Sequence, residues 1–182
     1  MPVKIAISLM ALIATLAAAV PVTHGIDPAH SHAQFSVSHI WVERVTGTVP
    51  ILSGSATLGE GSVIPIEVTA VLDATRLVTD EPDRDRALKS PDFFDTDKFP
   101  QWTFASTKVV PQSAHAFEMD GNLTVHGVTR PERLNVTVGG TGANPVYHAT
   151  TQIDRHAFGM AVTRLDPTIG GTADITLDVA LR

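Results

Sequence analysis

The chain has 182 residues and no cysteine, and its 13 lysines and arginines stand against 19 aspartates and glutamates, a formal charge of −6 at pH 7. The missing thiols exclude cysteine nucleophiles, iron–sulfur clusters and thiolate zinc sites, and leave exported folding independent of disulfides. The acidic balance excludes a basic face for nucleic acid.

The chain opens MPVKIAISLMALIATLAAAV: one lysine, Lys4, then an uncharged run from Ile5 to Ala19 that ends in three alanines. This order of charged, apolar and small residues predicts a cleaved secretory leader over residues 1–19. The run falls short of the about 20 apolar residues that a membrane span needs, and no later stretch approaches that length. The expected mature chain, 20–182, starts near Val20, carries 12 basic against 19 acidic side chains, and is periplasmic or secreted without stable membrane insertion. Its length suits one domain around one core.

From there, apolar residues alternate with period two, as strands with one buried face require. Phe35 and Val37 alternate with Gln34, Ser36 and Ser38. Strand-like pieces flank Gly47 and Gly54, and IPIEVTAVL places Ile64, Ile66, Val68, Ala70 and Leu72 on one face. TDEPDRDRALKS (79–90) breaks the pattern. Its acids come early and Lys89 late, which suits a helix dipole, with Thr79 or Asp80 as N-cap and Asp80–Arg84 and Asp85–Lys89 as i,i+4 pairs. Ser90-Pro91 then predicts a second helical turn carrying Phe93 and Phe94. Alternation resumes with Trp102 and Phe104, then Phe117, Met119, Leu123 and Val125, then Leu134, Val136 and Val138. The segment 146–154 is weakly apolar, and the last strand sets Ala173, Ile175, Leu177, Val179 and Leu181 on one face. Asp120-Gly121, Thr129-Arg130-Pro131, Gly139 to Pro145 and Gly170-Gly171 read as turns. About eight strands with short links predict an all-β antiparallel sandwich or barrel with one short helical crossover.

Four blocks in order, IDPAHSHAQFSVSHIWVERVTG (26–47), LKSPDFFDTDKFPQWTFAST (88–107), GNLTVHGVTRP (121–131) and IDRHAFGM (153–160), resemble those of the YceI-like family of exported lipid-binding proteins. The resemblance runs from about Ile26 to Arg182. It implies an eight-stranded, lipocalin-like antiparallel β-barrel holding a polyisoprenoid or related amphiphile. The sequence departs from the family pattern at Ser38, Val49 and Ala157, which touches the head-group contacts rather than the fold. In such a barrel the apolar phase, Phe35, Val37, Trp102, Phe104, Phe117, Met119, Leu123 and Val125, is the expected cavity lining. Phe93 and Phe94 either plug one end against a ligand or simply fill the core.

All eight histidines lie beyond the leader. On a strand, His30 and His32 share a face, the spacing of a zinc or copper pair, but no third ligand is evident and a solvated pair is the plainer reading. His39, His126 and Arg130 are candidate head-group contacts, and His126 equally a residue that orients its turn. Arg130, Arg155 and Arg164 suit a pyrophosphate and fit equally well as exposed arginines, and spacing does not decide between the two. Asp95-Thr96-Asp97 lacks the Gly and Glu of a calcium loop. No catalytic residue, cofactor or metal is assigned. The expected function is lipid binding, not catalysis, with a polyisoprenoid, quinone-type or fatty amphiphile as partner and a homodimer as one permitted assembly. A lipid-acting hydrolase or isomerase is the alternative, with His39, His126 and Asp154 as its candidates.

Overall fold

The computed structural model describes residues 20–39, 43–141, 144–160 and 166–182. The expected leader and Arg164 lie outside them. Ten strands follow in chain order: β1 (Val22–Gly25), β2 (His32–His39), β3 (Glu43–Thr48), β4 (Ile51–Leu58), β5 (Pro65–Asp73), β6 (Gln101–Ser113), β7 (Ala116–Val125), β8 (Val128–Thr141), β9 (Asn144–Asp154) and β10 (Ile169–Ala180). One helix, α1 (Pro82–Lys89), lies between β5 and β6. All ladders are antiparallel, in the order β1-β4-β5-β6-β7-β8-β9-β10-β2-β3. The sheet curls into a lipocalin-like barrel. At the seam, Asp27 donates its backbone N–H to Ala180 and Arg182 to Gly25, at 2.9 Å each, and Ile26 bridges Leu181. Ten strands replace the expected eight because the stretch around Gly47 and Gly54 divides at Pro50 into β3 and β4, and Val22–Gly25 adds a short strand.

The inner phase follows the alternation closely on β2, β6, β7 and β10. Phe117 and Met119 are buried, and so are Leu134 and Val136 opposite them on β8. On β5 the phase slips: Pro65 is buried whereas Ile66 is 58% exposed. A register shift between Thr57 and Leu58 re-aims the strand there.

The turns differ more from expectation. Asp120-Gly121 and Thr129-Arg130-Pro131 lie inside β7 and β8. The ring of Phe104 covers Gly121 where a Cβ would collide, so this glycine makes room within a strand. Pro131 is tolerated because the β8–β9 ladder starts only at Asn135–Thr150, leaving Pro131 with one strand neighbour, β7. The actual hairpin turn is His126-Gly127, with φ of 52° and 71°, the two positive φ values of a tight β-hairpin. The ring of Phe99 fills the space a side chain on Gly127 would occupy. Gly139 and Gly140 likewise extend β8, paired to Val146 and Pro145, and Gly170-Gly171 sits in β10 at a register shift.

The crossover from β5 to β6 begins with a 3-10 turn, Ala74–Arg76, that fully buries Ala74 and Leu77. The N-cap of α1 is Glu81, whose carboxylate accepts from the N–H groups of Asp83 and Arg84, with Pro82 in the first turn. Thr79 and Asp80 do not cap. Buried Thr79 donates its N–H and hydroxyl to Asp85, at 2.7 and 2.5 Å, and accepts from Arg84. Those contacts take up the groups expected to form the two i,i+4 pairs; on the outer surface Arg86 pairs with Asp83 instead. Ser90 is the C-cap, and Phe93 and Phe94 follow in hydrogen-bonded turns rather than a second helix.

Candidate functional site

The curled sheet encloses a cavity of about 370 Å³ with an almost wholly apolar wall. That size lies within the roughly 300–1,000 Å³ of small-molecule sites. Phe35 and Val37 of β2, Trp102 and Phe104 of β6, and Phe117, Met119, Leu123 and Val125 of β7 all stand on its wall. So do Phe93 and Phe94 of the crossover, with Leu88 of α1. Phe94 leans on Trp102, ring centroids 4.7 Å apart and tilted 49°, and the pair bridges two clusters, one around Phe35, Ile51 and Leu77 and one around Ile153, Phe158 and Met160. The third cluster, around Phe117, Leu134, Val136 and Tyr147, forms another stretch of wall. The Tyr147 hydroxyl donates to the Val63 carbonyl at 2.9 Å, and burial pushes its pKa up. The indole N–H of Trp102 is buried without an acceptor, an unpaired donor of the sort that costs roughly 1–3 kcal/mol.

Of the three candidate head-group residues, only His39 lies on the cavity wall. His126 serves its hairpin: its positive φ turns the ring toward the 155–158 segment, where Nδ1 donates to the Phe158 carbonyl at 3.2 Å. Phe99 meets the same ring edge-on at 5.1 Å. Arg130 is exposed and donates through Nε to the Ala157 carbonyl at 3.0 Å. Both residues therefore pin the 155–158 segment from outside. Arg155 is buried and touches the wall, and its guanidinium is given to the carbonyls of Gly170, Met160 and Ile169. Asp154 caps that same segment by accepting from the His156 N–H. Of His39, His126 and Asp154, the wall holds one. His30 is not on a strand with His32; it sits in the preceding turn with Nδ1 2.7 Å from Asp27, whose carboxyl pKa is lowered chiefly by that contact.

Some wall residues were hidden in the sequence reading. Tyr147 and Ala149 carry the buried phase of the weakly apolar β9. Glu132 shares the inward phase of Leu134 and Val136, two residues before the run, so extending the alternation backwards finds it. Among the described residues its carboxyl has no hydrogen bond or ion pair, and desolvation raises its pKa. On the outer face the order reverses. Arg133 holds Asp120 at 2.6 and 3.1 Å, lowering that carboxyl's pKa, and Arg44 with Gln152 does the same for Asp174.

The YceI-like domain family matches residues 25–181. The chain belongs to the YceI-like family. A UPF0312 protein of Vibrio parahaemolyticus is 34% identical over 117 residues, 64% of this chain and 62% of the relative. The chain thus spans under two thirds of that relative's length. A UPF0312 protein of Enterobacter is 34% identical over 141 residues, 76% of this chain and 73% of the relative. Among solved structures, BcnA of Burkholderia cenocepacia is similar with a TM-score of 0.71 at 17% identity, over 85% of this chain and 98% of that one. A polyisoprenoid binding domain from Saccharophagus degradans is similar with a TM-score of 0.67 at 16% identity, over 87% and 97% of the two chains. At such identities the structural likeness establishes the barrel-like YceI fold.

Proposed function

We propose that this YceI-like protein holds one long apolar chain inside its barrel. The observation that carries the reading is the cavity, walled by the inward side chains of the strands and by Phe93 and Phe94 of the crossover. Each methylene drawn from water into such a wall contributes about 0.8 kcal/mol, so a polyisoprenoid, a quinone-type molecule or a fatty amphiphile is held mainly by its tail. The solved polyisoprenoid binding domain of the same fold supports this ligand class. Carriage, storage or sequestration fits better than catalysis, because His126 and Asp154 are committed to the 155–158 segment and leave His39 without an acid–base partner among the described residues. The apolar run closing in Ala17-Ala18-Ala19 supports export and action in the periplasm or outside the cell. No helix among the described residues is long and apolar enough to cross a membrane.

Native mass spectrometry of the protein purified from its own host tests both parts. A mass beginning near Val20 with a bound lipid is the expected result. Retention of residues 1–19 overturns export. A protein that carries no lipid under any purification, or that releases a modified lipid with turnover, overturns the binding reading.

A further inference from the structure

The two ends of the barrel carry different covers. At one end stands the crossover between β5 and β6. Two backbone hydrogen bonds, of 2.8 and 3.1 Å, join its Val78 to Thr48 of β3. Its Leu77 is fully buried, Phe94 leans on Trp102, and Phe99 meets His126. At the other end stands the link 59–64 between β4 and β5, Gly-Glu-Gly-Ser-Val-Ile. Most of its hydrogen bonds are internal. Ser62 donates its N–H to the Gly59 carbonyl and its hydroxyl to the Ile64 carbonyl, and accepts from the Ile64 N–H. Gly61 has a φ of 69° and open space around it. Among the described residues, the polar tie from this link to the body is the Tyr147 hydroxyl on the Val63 carbonyl. Val63 and Ile64 are half-buried against the cluster of Phe117 and Tyr147. Beside the link the wall itself parts. β5 and β6 pair from Asp73–Gln101 to Thr69–Ala105 and no further, although β5 runs on to Pro65 and β6 to Ser113. One step past the ladder, the Val68 N–H is taken by the Ser106 hydroxyl at 2.8 Å instead of by a backbone carbonyl, and Pro65 has no N–H to give. Val68 and Val109, one on each side of the parting, pack on the same cluster as Val63 and Ile64. Pro65 and Val68 also line the cavity.

We propose that the bound chain enters and leaves between β5 and β6, under the 59–64 link, and that Tyr147 is the latch on that link. The proposal rests on the lipid-binding reading and adds the route to it. Tyr147 serves twice: its ring belongs to the wall, and its hydroxyl holds the link shut. Opening at this end breaks one phenol hydrogen bond, lifts two half-buried side chains and parts strand segments that share no ladder. Opening at the crossover breaks a backbone bridge and brings fully buried Leu77 into water. Segments that move to admit a ligand come from the weakly tied part of a fold, and here that part is the 59–64 link.

The test follows cis-parinaric acid, a slim fatty acid that fluoresces when bound, by stopped flow at neutral pH. Tyr147→Phe keeps the ring and removes the latch. Its association and dissociation rates are expected to rise together by about fivefold, the worth of one hydrogen bond, with Kd little changed. Unchanged rates, or a weaker Kd at an unchanged association rate, overturn the latch: the hydroxyl then supports only the fold or the ligand contact. A second variant tests the route by itself. The chain has no cysteine, so Val68→Cys with Ser106→Cys supplies one disulfide across the head of the parting, at opposed positions one step beyond Thr69–Ala105. Oxidation is expected to slow both rates by about tenfold or more, and reduction to restore them. Equal rates in the two states overturn the route, however Tyr147→Phe behaves. Asp85→Ala, which loosens the crossover instead, is expected to leave both rates at wild-type values. Faster exchange there, with none in Tyr147→Phe, puts the route past the crossover and overturns the proposal while the lipid-binding barrel stands. A wild type that does not take up the probe overturns both.

Discussion

The wall of the barrel and the crossover that covers it are held together by different means. Along β6, β7 and β8 each inner side chain repeats its neighbour's role: Phe104, Met119 and Leu134 are all buried, and the ladders fix their register, without a shift between β7 and β8 and across two shifts between β6 and β7. The crossover has no ladder beyond the single Thr48–Val78 bridge. It depends on individual polar contacts: Thr79 to Asp85, Arg84 to Thr79 and the Glu81 cap, together with the anchors Leu77, Phe94 and Phe99. A wall of repeated contacts tolerates the loss of any outward group and fails when one inward group changes sign. A crossover of single contacts fails at its polar joints.

The largest expected effect breaks the wall from inside. Met119→Lys puts an ammonium among Phe117, Leu134 and Val136, a cost of several kcal/mol where neither water nor an anion is close. Thermal unfolding is expected to fall sharply and extractable lipid to vanish. An unchanged midpoint with lipid retained means that the cavity is not on this face.

Next comes a joint of the crossover. Asp85→Ala leaves the buried N–H and hydroxyl of Thr79 without their acceptor, a loss of roughly 1–3 kcal/mol. Amide exchange is expected to quicken over residues 77–90 more than in β7. Uniform quickening across the molecule means that crossover and wall unfold as one unit.

A smaller effect tests the desolvated carboxyl of Glu132. The pKa of Glu132 is raised in the folded state, so the folded protein binds its proton more tightly than the unfolded chain. The stability this confers is fully present below the unfolded value near 4.5 and is lost as pH rises through the folded value. Glu132→Gln is therefore expected to raise the unligated protein's midpoint near neutral pH, by no more than about 2 °C, with the gain fading in acid. A gain that is the same at every pH removes the carboxyl's ionisation as its cause. The smallest effect is on the outer face: Thr124→Lys exchanges a hydroxyl that meets Thr129 at 2.8 Å, within about ±0.5 kcal/mol, and lipid content is expected to hold.

The same contrast governs how much was legible in the sequence. Alternation on β2, β6, β7 and β10 placed the inner phase correctly, because a period of two leaves a half-buried strand only one arrangement. It failed at Ile66, where the register shift depends on β4. Asp120-Gly121 has the composition of a turn, and only the ring of Phe104, seventeen residues away in sequence, shows that the glycine makes space instead. The true turn at His126-Gly127 carries a histidine, which is stabilised there by Phe99 and the Phe158 carbonyl, both distant in sequence. In the crossover the helix was legible from its charge order, but its cap was not. Thr79 and Asp80 have the side chains that favour a cap, yet Thr79 is buried against Asp85 and Glu81, outside the favoured set, takes the position. The cavity wall was thus readable, whereas the head-group contacts were not, since His126 and Arg130 are distinguished from His39 only by contacts with residues 157–158.

The seam between Ile26 and Leu181 has a consequence for the order of events in the life of the chain. Its hydrogen bonds join Gly25 and Asp27, near the first strand, to Ala180 and Arg182, at the last. Local hairpins such as β7–β8 form as soon as their own residues exist, but this contact spans nearly the entire chain and carries the full entropy of closing that loop. A chain whose β10 has not yet docked between β9 and β2 is an open trough, with Phe35 and Phe117 still facing water. The container is finished only once that strand is in place, and whatever it holds enters after that.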